Sequence, residues 1–392
     1  MWNEKELNKS FCMETLFFIS GFLCIYSYFL YPLILKVISP QRSLSICNAT
    51  VATHALPTIT LIITAHNEER RINDKLVNTL ALDYPREFLE VIVASDCSTD
   101  DTDGIVMSYA DQGVRLVRAD ERKGKEYAQL CGIREAKGDI LVLSDVATRI
   151  QPDALLKIAG AFSDPTVGAV SSEDRFVSRE GNVVGEGAYV RYEMWLRRLE
   201  SERAGLVGLS GSFFAVRSEL REGWDIESPS DFNTALNCAK KGMIAISCPE
   251  VIGVYSDIKD PRLEYRRKLR TIIQGITAVY RHPEVLNPFK LGLFAFQVWS
   301  HKVWRWMVPW FMVVFFVVSL LLSGSHMFYT LAFCAQLLFY TVVILGHFVT
   351  GIREHMLVRI PYYFVQVNFA IAAATVKFLC GQRINVWTPS ER

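Results

Sequence analysis

Residues 58–64, 89–95, 114–118 and 140–144 are short runs rich in β-branched and aliphatic side chains. Helix-length polar or amphipathic segments separate them at 68–80, 101–110 and 123–136. This alternation is the strongest constraint on what the chain can fold into. It calls for βαβ units and a mostly parallel sheet, an α/β fold. The run Ile140-Leu141-Val142-Leu143-Ser144 stops at one carboxylate, Asp145. An uninterrupted apolar run of that length is how a strand buried on both faces reads. Ligands of open α/β sheets gather beyond the carboxyl ends of such strands, so Asp145 is expected at a binding rim. The first strand is not followed by GxGxxG, and GxxxxGK[ST] does not occur. Both the usual dinucleotide fold and a P-loop are thereby disfavoured. Further on, the pattern predicts a helix over 152–162, a strand over 167–171 and a helix over 187–203. A short apolar stretch at 213–216 and a helix over 231–241 follow, and residues 243–248 close this region.

The two ends of the chain are different in kind. Residues 15–35 carry no charge and are long enough to cross a bilayer core of about 30 Å. The stretch is too long for the apolar part of a signal peptide. Residues 306–325 and 327–346 are two more uncharged spans, and Trp299, Trp304, Trp306 and Trp310, before and at the start of the first, form an interfacial aromatic belt. Residues 360–376 are marginal in length and contain Gln366 and Asn368, so a fourth span and a re-entrant or interfacial segment both fit. A basic loop with Arg353, His355 and Arg359 precedes it. Between the globular region and the spans, Arg262, Arg266, Arg267, Lys268 and Arg270 form a basic cluster. Leu269, Ile272, Ile273, Ile276 and Val279 add an apolar stripe at helical spacing, the pattern of a helix lying in the membrane interface. The expected organisation is a membrane helix in 1–42, a linker in 43–56 and a globular domain in 57–260. Interfacial helices in 261–303, two spans in 304–352 and a last apolar segment with a tail in 353–392 follow it.

Charge excludes one class of partner. With 42 Lys and Arg against 41 Asp and Glu there is no basic excess to hold a nucleic acid. Nine cysteines are scattered without a CxxC pair, which predicts reduced thiols with neither zinc nor a disulfide framework.

Three acids stand out by position. Asp96 ends the second strand, Asp145 ends the fourth, and Asp231 opens a helix. At a sheet rim a carboxylate can read a base or ribose, or hold a hard cation bridging phosphates. The plainer reading of each is a helix N-cap, and for Asp100 and Asp101 it is the better one.

Motifs in order and spacing carry a resemblance. Ala65-His66-Asn67-Glu68-Glu69, the stretch Ser95-Asp96-Cys97-Ser98-Thr99-Asp100-Asp101-Thr102, Arg122-Lys123-Gly124-Lys125, Ala136-Lys137-Gly138-Asp139 and Ser144-Asp145 together resemble family 2 glycosyltransferases of the GT-A fold. The resemblance runs from about residue 57 to the C-terminus, and the arrangement among membrane spans is similar to cellulose, hyaluronan and poly-N-acetylglucosamine synthases. It implies a GT-A nucleotide-sugar-binding domain inserted between transmembrane helices. The donor implied is a nucleotide-sugar, a UDP-sugar first, and the acceptor a glycan or a lipid-linked molecule. Donor contacts fall on Ala65, Asn67, Glu68, Asp96, Lys125, Ser144 and Asp145, with Asp145 also the ligand of Mg²⁺ or Mn²⁺. Gly208-Leu209-Ser210-Gly211-Ser212 resembles the acceptor-side loop, placing Ser210 and Gly211 there, with Trp195 a further acceptor candidate. Asp231 falls where the family keeps its general base. Arg267-Lys268-Leu269-Arg270 falls where membrane-bound members carry Gln-x-x-Arg-Trp, and Trp387 to Arg392 resembles their C-terminal Trp-x-x-x-x-Arg. The resemblance further implies membrane lipids as surroundings, a catalytic domain on the cytosolic side, and other polysaccharide-export subunits as partners. Departures are specific. Val146-Ala147 replaces a second carboxylate or Asn, Cys97 a Gly, Leu130 an Asn, Ser230 a Glu and Thr271 the Trp. A single-transfer enzyme acting on a lipid acceptor and a non-catalytic scaffold subunit are the competing readings that these departures motivate.

Overall fold

The computed structural model describes residues 4–41, 56–177, 188–256, 261–353 and 355–382. They fall into two compact units. One holds the sheet, and the other holds residues 265–273 with most of the apolar helices. The linker at 43–55 and the Trp387–Arg392 tail motif lie outside the described residues.

In the first unit eight strands form one sheet. They are β1 (Ile59–Ala65), β2 (Leu89–Ser95), β3 (Val114–Arg118), β4 (Ile140–Asp145), β5 (Arg149–Ile150), β6 (Val167–Val177), β7 (Phe213–Arg217) and β8 (Ile244–Ser256). The order is β3-β2-β1-β4-β7-β6-β8-β5. The β3-β2-β1-β4 half is parallel, as the alternation with helices requires. β7 enters antiparallel to both β4 and β6, and β6 runs parallel to β8. β1 is buried along its whole length. Successive side chains alternate between two faces. Leu61 and Ile63 join Val91, Val93 and Val142 under Ile72, Leu76 and Ile158 of the helices on one side. Ile62 joins Ile92, Leu141 and Leu143 under Ala128, Ile133 and Ala235 on the other. The result is a sheet covered by helices on both faces, with the carboxyl ends of β1, β2 and β4 at one rim.

Two boundaries differ from expectation. β8 continues well past Cys248, because Ser172 pairs with Cys248 and the next residue, Glu173, pairs with Ile252. The sheet absorbs the Pro249-Glu250 interruption as a bulge, which a pattern search reads as a strand end. β5 is only two residues, held by Val254 and Gly253 of β8, too short to carry periodicity. A third difference is chemical: Cys248 is disulfide-bonded. The expectation of nine reduced thiols is therefore wrong at this position. Disulfides are set by spatial approach of Cα atoms, which the spacing of isolated cysteines does not reveal.

In the second unit, Phe17 packs against Phe315 and Tyr329 at ring-centroid distances of 4.9 and 5.0 Å, with Val318 and Leu322 completing a small apolar core. Four helical stretches are long and apolar enough to cross a membrane: Ser10–Val37, Pro288–Leu322, Met327–Phe348 and Met356–Leu379. The last is one continuous 24-residue helix, longer than the marginal 360–376 because Met356 to Arg359 and Lys377 to Leu379 are helical too. Helix Pro261–Arg281 is amphipathic as its basic cluster and apolar stripe predict.

Candidate functional site

The rim of β2, β1 and β4 gathers most of the predicted residues. Asp96 and Asp145 lie on this rim with β1 between them. Asp96 is fully buried, and its backbone N–H donates to the Ala65 carbonyl at 2.9 Å. Its Oδ1 accepts the backbone N–H groups of Lys123 and Gly124, each at 3.2 Å. Gly124 has φ 98°, a conformation that suits glycine and turns its amide toward the acid. Asp96 Oδ2 is buried with no partner among the described residues. Asp96 is therefore not an N-cap; it holds the turn ahead of the helix Lys125–Glu135 and keeps one acceptor oxygen unsatisfied.

Asn67 and Cys97 both have positive φ, 53° and 52°. Asn tolerates that region, whereas Cys pays a steric cost there of about 1 kcal/mol. The conformation explains why a glycine suits the position of Cys97. Asn67 Oδ1 accepts from the Thr99 amide at 2.8 Å, and the Asn67 amide donates to Ser98 Oγ at 3.2 Å, tying the two rim loops together. Glu68 is buried, its amide donates to Thr102 Oγ1 at 2.8 Å, and its carboxylate pairs with Arg71 at 2.8 Å. Burial raises the Glu68 carboxyl above its ordinary range, and the opposing pull of Arg71 does not cancel it. Asp100 takes the capping role, accepting from the Thr102 amide at 3.1 Å, while Asp101 at the cap position makes no capping bond.

Lys125 is the centre of the site. Its Nζ lies 2.5 Å from Asp145 Oδ1 and donates to the Gly211 carbonyl at 2.7 Å. A Cβ on Gly211 would stand 3.2 Å from Asp231 Oδ2, so the Asp231 carboxylate lies directly against that loop. Asp231 is in the first turn of the helix Ser230–Lys240, whose cap position is Pro229. The N-cap reading of Asp231 is thereby corrected: the cap position is Pro229, two residues earlier. Ser210 is buried, takes Ser171 Oγ on its amide at 2.7 Å, and donates from its hydroxyl to Asp174. The loop 208–212, Lys125, Asp145 and Asp231 are thus one connected group.

Two predicted groups stand on other elements. Trp195 is 40% exposed on the helix Ala188–Arg203, grouped with Tyr192 at 6.0 Å between ring centroids. Arg267 and Arg270 belong to the other unit, with the apolar helices.

Two residues were missed. Lys75 is buried and donates to Ser144 Oγ at 2.7 Å and to the Thr148 carbonyl at 2.6 Å. Burial lowers its pKa to about 7, with the Asp145 charge opposing. The signal was available: Lys75 shares the core-facing stripe of Ile72, Leu76 and Thr79, where a lysine needs a partner. Glu126 is the second. Burial raises its carboxyl, Lys125 opposes, and the Asp231 charge adds to the rise. Its position next to Lys125 carried no periodic signal.

A cation fits this rim in one way. Among the described residues no group of three or more His, Cys, Asp and Glu converges, so an all-protein metal cage is ruled out for them. Asp145 is 23% exposed at the strand end. Mg²⁺ and Mn²⁺ accept one or two carboxylates when substrate phosphates and water supply the remaining oxygens, and that donor set is compatible with Asp145 alone.

The model of glycosyl transferase family 2 matches residues 60–222, from β1 to just beyond β7. Over this segment the chain is similar to family 2 glycosyltransferases. Among curated proteins, the beta-monoglucosyldiacylglycerol synthase of Synechocystis is 26% identical over 202 residues, 49% of this chain and 42% of the relative. The poly-beta-1,6-N-acetyl-D-glucosamine synthase of Staphylococcus aureus is 30% identical over 136 residues, 34% of this chain and 32% of that synthase. The chain therefore spans less than half the length of these relatives. A mannosyltransferase from Pyrobaculum calidifontis, solved with GDP-Man and Mn²⁺, superposes with a TM-score of 0.71 at 23% identity, over 95% of this chain and all of that one. The fold is thus the GT-A fold, and the segment that the family model matches contains every rim residue described above except Asp231, which follows it.

Proposed function

We propose that the chain is an inverting glycosyltransferase that moves a sugar from a nucleotide-sugar to a glycan or lipid-linked acceptor at a membrane. One observation carries the reading: Lys125 joins Asp145 to the Gly211 loop, and Asp231 lies against that loop. A cationic group for a leaving diphosphate and a carboxylate for an attacking hydroxyl are therefore neighbours. In the reaction the acceptor oxygen bonds to the anomeric carbon while the bond from that carbon to the diphosphate oxygen breaks. The diphosphate leaves with the electron pair, and the acceptor proton goes to Asp231. A single base on the far face of the sugar is what inversion needs.

Asp96 receives the nucleoside. Its orphaned Oδ2 supports this, because a buried acceptor without a partner costs about 1–3 kcal/mol that a base N–H or ribose hydroxyl would recover. Asn67, Glu68 and Ala65 shape that pocket. Ser144 and Lys75 hold Asp145 from below. A divalent cation on Asp145 would neutralise charge on the diphosphate when bound. Arg267 and Arg270, donor-contact candidates by the motif they occupy, carry guanidinium forks of a shape suited to a diphosphate. Ser210, Gly211 and Trp195 are assigned to the acceptor side.

One observation favours single transfer over polymerisation. Thr271, where a Trp would offer a sugar-stacking ring, turns its hydroxyl to the Arg267 carbonyl of its own helix at 3.0 Å. A cytosolic nucleotide-sugar supply puts the domain inside, with the loop of Arg353 and Arg359 on the same side.

The test is Asp231→Asn. It is expected to lower transfer by about 10²- to 10⁴-fold, the usual worth of a general base, with nucleotide affinity unchanged. Near-parental turnover in that variant removes Asp231 from the mechanism.

A further inference from the structure

The membrane unit contains a polar cavity that glycosyl transfer does not use. It measures about 780 Å³ and is lined by Thr350, Arg353, Arg359, Tyr362, Tyr363 and Gln366. It lies where the helix Met327–Phe348 ends and Met356–Leu379 begins. Arg353 is fixed in place: its guanidinium donates to the Gly346 and His347 carbonyls at 2.8 and 2.9 Å and sits 4.6 Å above the Tyr362 ring. Lys268 reaches the cavity edge, with its Nζ 4.5 Å from the Tyr363 ring centre and 3.3 Å from the Tyr363 hydroxyl. Arg359 is different. Its guanidinium is exposed and makes no hydrogen bond or ion pair to a described residue. Gln366 is likewise exposed, on a helix apolar enough to cross a membrane. Asp and Glu are absent from the described lining.

We infer that this cavity binds the phosphate headgroup of an anionic lipid. Arg359 offers a bidentate fork to the phosphate, with Arg353 and Lys268 adding positive charge. Gln366 offers hydrogen bonds to the remaining headgroup oxygens. A glutamine facing hydrocarbon is costly unless it finds a polar partner, which a headgroup seated here provides. The surroundings select an amphiphile over a free anion. Phe348, Met356, Leu357 and Ile360 are 78, 61, 74 and 47% exposed around the polar lining, an apolar surface suited to acyl chains. Basic pockets between membrane helices hold anionic headgroups by this combination. The inference stands independently of the glycosyl-transfer reading.

The experiment is native mass spectrometry of the full chain in neutral detergent, with dioleoylphosphatidylglycerol and dioleoylphosphatidylcholine supplied in equal amounts. One phosphatidylglycerol is expected to be retained about tenfold in preference, as charge-assisted contacts imply. Arg359→Ala should remove that preference, Arg359→Lys should restore part of it, and Gln366→Leu should weaken it about threefold. Inorganic phosphate in millimolar excess should leave the bound lipid in place. Equal retention of the two lipids, a preference unchanged in both Arg359→Ala and Gln366→Leu, or displacement by inorganic phosphate would each overturn the inference.

Discussion

Replacing Lys125 with Met removes one ammonium and keeps the length of its stem. The structure allows the consequence to be worked out. The Lys125 side chain is 9% exposed and its partner Asp145 is 23% exposed, so the pair is shielded from water on most sides. Nζ also donates to the Gly211 carbonyl at 2.7 Å, which fixes the loop facing Asp231. Deleting a hydrogen bond to a charged group costs about 1.5–3 kcal/mol. At 1.36 kcal/mol per factor of ten, kcat/KM should fall by about 10- to 150-fold. A further loss is expected because Asp145, no longer compensated, repels the incoming diphosphate. The kinetics separate two roles: a fall in kcat means Lys125 acts on the leaving group, and a rise in KM alone means it only binds donor. The assay is release of nucleoside diphosphate under saturating acceptor, with a thermal melt to confirm folding. A folded Lys125→Met chain with kcat/KM within about twofold of the parent would refute the reasoning.

Two further outcomes follow from the structure. Asp225 accepts from Arg281 at 2.8 and 3.1 Å and from Ser228 at 2.8 Å; burial pushes its carboxyl up, but these bonds prevail and hold it at about 2. Its folded value is depressed, so its contribution is present above the ordinary 3.8 and lost as pH falls toward about 2. With solvent screening this amounts to about 1 kcal/mol, and melts between about pH 5 and 2 should lose most of that slope in Arg281→Ala, an unchanged slope contradicting the assignment. The proposed topology puts Ser325, between two of the apolar helices, outside. A membrane-impermeant maleimide should label Ser325→Cys in intact cells once Cys12, Cys334 and Cys380 are replaced; labelling only after permeabilisation would put the domain outside, where the Cys248 disulfide is at home.

Most of the parallel half of the sheet was legible because β1, β4 and the greater part of β2 are buried on both faces and read as apolar runs, whereas the half-exposed β3 was legible from its Val and Leu between arginines. Its rim was legible for the same reason: Asp96 and Asp145 are the polar residues at which β2 and β4 stop. The antiparallel insertion of β7 was not, since Phe213–Arg217 records burial and not strand direction. β8 was cut short by a bulge, and the Cys248 bond depends on approach in space. Within the site, motif order located Lys125 and Asp231, but only packing reveals that Lys125 bridges Asp145 to the Gly211 loop. Lys75 was visible as a lysine on an apolar stripe, and its partner Ser144 could not be named before the helix was seated on the sheet.

The central claim is sugar transfer from a nucleotide donor, and its most direct measurement is product formation. Purified chain in lipid is supplied with a panel of radiolabelled UDP- and GDP-sugars, with Mg²⁺, Mn²⁺ or chelator, and products are resolved by size. The account predicts turnover of one donor, loss of activity in chelator, and a single lipid-soluble product. A ladder from one donor would keep the enzyme and overturn the single-transfer reading. Donor binding without turnover of any donor, across membrane lipid extract supplied as acceptor, would contradict the claim and leave a non-catalytic subunit.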